Sequence, residues 1–140
     1  MNKYLYWKRK KIINKIEYFQ NKFNFKIQFV ECLNANGCVI NYEKKYFLFI
    51  NKETNVNLLP LIIFHEIGHI KQNTIVNDPK KYIYFNEVKA NLFAINNLKC
   101  IFNLLTYLEL IILAIFNEKR LYKFFLKRNY IGGEFLYELN

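Results

Sequence analysis

Apolar residues change their spacing along the chain, and each change marks an element. From Tyr4 to Phe19 the positions Leu5, Ile12, Ile13, Ile16 and Phe19 recur at helical intervals with Lys and Arg between them, which predicts an amphipathic first helix. Phe23, Phe25, Ile27 and Phe29 then alternate with Asn24, Lys26 and Gln28. A period of two gives a strand one buried face, whereas a helix would scatter the same residues around its circumference. Asn34-Ala35-Asn36-Gly37 tolerates positive φ and predicts a turn into a second strand, Cys38 to Tyr42. Glu43-Lys44 makes the next turn, and the aromatic, β-branched run Lys45 to Ile50 predicts a third strand. Together these segments predict a small antiparallel sheet of about three strands. Its strand order is not encoded in the pattern.

Helical spacing then returns. Asn57 is a suitable cap, Pro60 is tolerated in a first turn that lacks a partner for its amide anyway, and the helix is expected to run to about Gln72. Asn77-Asp78-Pro79 breaks it, and Phe85 to Leu98 resumes the helical period through Val88, Leu92, Phe93 and Ile95. Further helix is expected to about Lys127, ended by Gly132-Gly133. The fold class is therefore α+β: a small sheet packed on a helix pair, with additional carboxy-terminal helices. Leu98 to Phe116 approaches membrane-spanning length, but Asn103, Thr106 and Glu109 interrupt it at intervals of three. That spacing puts one polar stripe on a helix, and a Glu near mid-bilayer is costly, so packing on a core is preferred to a membrane span.

Composition narrows this picture. With 140 residues, 53% of them hydrophobic, and no Pro/Gly/Ser-rich stretch, the expectation is a single domain over residues 1–140 that folds without disulfide staples. The 21 Lys and Arg against 11 Asp and Glu give a formal charge of +10, which suits acidic partners. Apart from Lys8-Arg9-Lys10-Lys11 the excess is spread along the chain, so a solvated basic surface is favoured over a dedicated nucleic-acid site, and direct nucleic-acid binding stays open. Cys32, Cys38 and Cys100 lack the paired spacing of a zinc knuckle and are odd in number, as expected of reduced thiols. Met1 to Lys11 has charges but no apolar h-region, so a cytoplasmic location is expected.

Both histidines of the chain fall in His65-Glu66-Ile67-Gly68-His69, inside a helix argued on independent grounds. Four residues advance a helix by about 400°, so His65 and His69 project from nearly one face and suit two ligands of one tetrahedral zinc ion. Glu66 lies about 100° round, beside the metal, where it can act as general base on water. The competing reading is an exposed His-Glu pair on an ordinary amphipathic helix. Gly68 argues against it: a mid-helix Gly costs about 1 kcal/mol relative to Ala, so something, such as a packed sheet, is expected to approach the backbone closely.

A catalytic zinc takes a third protein ligand, and Glu87 is the candidate because it begins the next helical segment after a loop long enough to bring that helix back antiparallel. Asn91, one turn later on the same face, can hold a ligating imidazole in orientation. Small Ala90 and Ala94 allow the two helices to approach. The bland readings are a surface carboxylate at a helix start for Glu87 and an incidental amide for Asn91. Asp78 and Glu109 are the other acids to compare, and Tyr82 or Tyr84 are candidate oxyanion donors from the interhelical loop.

The order of Phe47-Leu48-Phe49-Ile50, then Phe64-His65-Glu66-Ile67-Gly68-His69, then Glu87-Val88-Lys89-Ala90-Asn91-Leu92-Phe93-Ala94 resembles the ImmA/IrrE family of metallopeptidases over about Val39 to Ala94. The resemblance implies a minimal thermolysin-like zinc peptidase, with zinc on His65, His69 and Glu87 and Glu66 as base. It also implies a protein substrate, a helix-turn-helix repressor of a phage or mobile element being the usual kind. An extended substrate could pair with a sheet edge, for which Lys45 to Ile50 is the candidate by proximity. A catalytically silent zinc-fold protein that binds a repressor or nucleic acid is the alternative function.

Overall fold

The computed structural model describes residues 3–31, 36–54, 59–73, 84–99 and 104–116. Their elements run α1 (Lys3–Phe23), β1 (Phe25–Val30), β2 (Gly37–Tyr42), β3 (Lys45–Asn51), α2 (Leu59–Gln72), α3 (Tyr84–Asn97) and α4 (Leu104–Phe116). This is an α+β fold with one three-stranded sheet. Asn57, Asp78, Tyr82, Cys32, Cys100, the end of the last predicted helix at Lys127 and Gly132-Gly133 all lie outside the described residues.

The sheet is mixed, not antiparallel throughout, and its order is β1-β3-β2. β3 runs antiparallel to β2, from Tyr42↔Lys45 outward, and parallel to β1, with Ile27 opposite Leu48. Alternation identifies the buried face of β1 but carries no information on its neighbour. The chain passes from β1 to a position two strand spacings away, about 10 Å, and the β2–β3 hairpin then returns β3 into the gap. Lys45 to Ile50 is consequently the central strand, not an edge. The hairpin turn places Glu43 and Lys44 at φ 49° and 66°, the left-handed pair that a two-residue turn needs to match strand twist.

One sheet face, carrying Phe25, Ile27, Val39, Leu48 and Ile50, is buried in the core. At Gly37 a Cβ would meet Ile62 Cγ2 at 2.8 Å, so this face is in direct contact with α2. α1 covers the core with Ile12, Ile16 and Phe19, and the Phe19 ring stands edge-on to Phe64 of α2 and Phe93 of α3. Lys15 Nζ donates to the Asn97 carbonyl at 2.8 Å, a cation at the carboxy-terminal end of α3. α1 and α2 each end on an asparagine in the left-handed region, Asn24 and Asn73, a conformation this residue type adopts readily at helix ends.

α2 is buried without interruption from Leu59 to Ile70. It is therefore a central helix and not the ordinary amphipathic one that would carry an idle His-Glu pair. α4 lays Tyr107 and Ile111 against the core, and the Tyr107 hydroxyl donates to the Asn96 side chain. No helix among the described residues is long and apolar enough to cross a membrane.

Candidate metal centre

Three charged or imidazole side chains on a helix with no solvent face must be satisfied internally, because an uncompensated buried polar group costs several kcal/mol (about 2–7). His65, Glu66 and His69 are only 4%, 8% and 5% exposed. For the two histidines the satisfaction comes from α3. Glu87 reaches His65 Nε2 with Oε2 at 3.0 Å and His69 Nε2 with Oε1 at 3.3 Å. The two Nε2 atoms are 3.2 Å apart.

The cluster suits a metal ion. The two imidazole nitrogens are separated by close to the about 3.4 Å expected of ligands bonded at about 2.1 Å around a tetrahedral centre, each faces one oxygen of the same carboxylate, and one ligand atom from each residue lies within 4.8 Å of the others. Two imidazole nitrogens facing each other beside a carboxylate also form a donor set that calls for a cation between them. His65, His69 and Glu87 form the only group of three or more potential ligands among the described residues. Glu109, on α4, does not join it, and Tyr84 is at the exposed start of α3.

Asn91 is fully buried and its Oδ1 lies 2.7 Å from His65 Nδ1. An amide oxygen here accepts the Nδ1 proton, so that when the ring is neutral it is Nε2 that carries the lone pair, on the side facing Glu87 and His69. His65 meets Asn91, while His69, one turn on, meets Glu87, one turn back; α2 and α3 therefore run antiparallel. A Cβ at Gly68 would meet Ala90 Cα at 3.1 Å and Ala90 O at 3.3 Å. The close neighbour of this glycine is thus α3, not the sheet, and Ala90 is the small residue that permits the approach.

The cluster shifts its own titration. Burial, the largest influence, would lower the His65 pKa, but the hydrogen bond that its ring donates to Glu87 and the charges of Glu66 and Glu87 overcome it and push His65 up to about 9. Burial likewise would raise Glu87, and the two histidines hold it down at about 2. Without a metal, His65 and Glu87 form a buried ion pair. Cys38 on β2 is a neighbour that the sequence left as a bland thiol: burial and then the charge of Glu66 raise its pKa. Only the placement of β2 against α2 brings the two together, and no sequence pattern signals it.

The arrangement brings two buried histidines and the half-buried Glu87 together across an antiparallel helix pair, with a further buried carboxylate, Glu66, next to His65 in sequence. No family model, no curated protein and no solved structure matches the chain.

Proposed function

We propose that the chain is a zinc-dependent endopeptidase of the ImmA/IrrE kind, acting in the cytoplasm on a protein substrate, with a helix-turn-helix repressor of a phage or mobile element as the candidate. The observation that carries this reading is the convergence of His65 Nε2 and His69 Nε2, both buried, on the two oxygens of the Glu87 carboxylate. The cytoplasmic placement is supported by cysteines without paired spacing.

Zinc, when bound, supplies Lewis acidity toward a carbonyl oxygen and lowers the pKa of water. His65, His69 and Glu87 hold it, and Asn91 keeps the His65 ring in register. Glu66 handles the proton: its carboxylate takes one from the attacking water and delivers it to the amine nitrogen as the peptide C–N bond breaks. Burial of Glu66 keeps competing bulk water away from that transfer. Of the two sheet edges, β2 is the one tied to Glu66 through Cys38, so an extended substrate would add there by main-chain pairing.

The test is co-expression of wild type and Glu66→Gln with a repressor encoded beside the gene, with intact-mass analysis of the products. Wild type and Glu66→Gln should both carry about one zinc per chain, and only wild type should yield a cleaved repressor. Equal cleavage by Glu66→Gln removes the base assignment. Absence of zinc from both proteins under metal-replete conditions defeats the proposal as a whole. Zinc with no cleavage by either favours the catalytically silent binding protein.

A further inference from the structure

Charge that is diffuse along the sequence becomes local on α1. Seven of the 21 Lys and Arg fall on this helix, opposed there only by Glu17. Rotating about 100° per residue, Trp7, Asn14 and Tyr18 share one line along the helix, with Lys10, Lys11 and Lys22 within about 60° on either side. Ile12, Ile16 and Phe19 point away from that line into the core. Trp7 is 52% and Tyr18 58% exposed, so both rings are open to a stacking partner. Each ring has an ammonium over it: Lys11 Nζ lies 4.9 Å from the Trp7 ring and Lys22 Nζ 5.8 Å from that of Tyr18.

We propose that this face of α1 binds single-stranded nucleic acid, with unpaired bases stacking on Trp7 and Tyr18 while Lys10, Lys11 and Lys22 pair with phosphates. The two rings are separated by eleven residues, about 16 Å of helix, a span that a few nucleotides of an extended strand can bridge. A base approaching either ring displaces the ammonium above it, and the displaced lysine is then beside the strand's own phosphate. Aromatic platforms interleaved with cations are the general requirement for sequence-tolerant single-strand binding. An anionic membrane would use the same charges but needs a continuous apolar strip to insert. The apolar strip of α1 is already committed to the core, and Lys10, Lys11 and Asn14 separate the two rings.

Trp7 is the only tryptophan of the chain, so its emission reports this face directly. The full-length protein is titrated at several salt concentrations with an oligothymidylate of about a dozen nucleotides, with inorganic polyphosphate, and with phosphatidylserine vesicles. Expected is quenching of Trp7 by oligothymidylate, weakening with salt. Tyr18→Ala should lose about tenfold in oligothymidylate affinity and leave polyphosphate affinity unchanged, since polyphosphate has no bases to stack. Tyr18→Leu repeats the measurement with a bulkier side chain should the alanine variant misfold. Removing Lys11 and Lys22 together as Gln should lessen the salt slope by about 1.4. No quenching by oligothymidylate, an equal loss for polyphosphate in Tyr18→Ala, or stronger binding to vesicles than to oligothymidylate overturns the proposal. Glu66→Gln should bind as wild type does, which keeps this outcome distinct from that of the peptidase test.

Discussion

At Asn91 one amide oxygen decides which nitrogen of His65 carries the proton. Asn91→Ala removes that decision and leaves the ring free to adopt the tautomer that cannot ligate. Zinc affinity measured by chelator competition is expected to fall about 10- to 100-fold with the helix content unchanged; an unaltered affinity would reduce Asn91 to packing. His65 sets the pH response. Its pKa in the metal-free protein, about 9, stands above the ordinary 6.5. The ion pair with Glu87 therefore stabilises the metal-free fold fully between about pH 4.5 and 6.5, and this contribution is lost as pH falls through about 2 or rises through about 9. Metal requires the neutral ring, so its apparent affinity should rise by about tenfold per pH unit across the same window and level off above it. Calorimetry near neutral pH in buffers of different ionisation enthalpy should show about one proton released per metal bound; heats independent of buffer would contradict the pair. Of these residues, the 65/66/69 spacing was legible in the sequence because helix geometry is local. Glu87 and Asn91 were legible only through the order of segments. Cys38 was not, because its nearness to Glu66 depends on how a strand docks on a helix.

Elements show the same boundary between local and non-local information. Helix limits at Gln72 and near Phe85 followed from spacing and breakers, and β1 from strict alternation. The parallel pairing of β1 with β3 did not, since it depends on which gap a hairpin fills. The α2–α3 contact is the element-scale feature on which the centre depends, and Gly68 controls it. Gly68→Ala gains about 1 kcal/mol of helix propensity, but its methyl would press on the Ala90 backbone of a buried helix pair, and overpacking there costs about 1–3 kcal/mol. The net expectation is a protein destabilised by up to about 2 kcal/mol in urea unfolding, with weaker zinc binding because Glu87 is carried outward with α3. A stabilised variant that keeps its zinc would show the helices free to separate.

For the whole molecule, the proposed zinc site, with ligands on two helices, would tie metal occupancy to folding. At a free zinc concentration a hundred times Kd the folded state gains about 2.7 kcal/mol, which for a chain of this length should raise Tm by about 5–10 °C. Chelation before a thermal scan should abolish the difference, and identical scans with and without chelator would argue against a resident ion. The uninterrupted burial of α2 has a consequence for exchange kinetics. A helix with no solvent-facing turn between Leu59 and Ile70 has no shallow opening mode, so its amides exchange deuterium only when the molecule opens globally. Uptake in peptides that carry His65 to His69 then measures the free energy of global opening, and that uptake should slow in step with zinc occupancy.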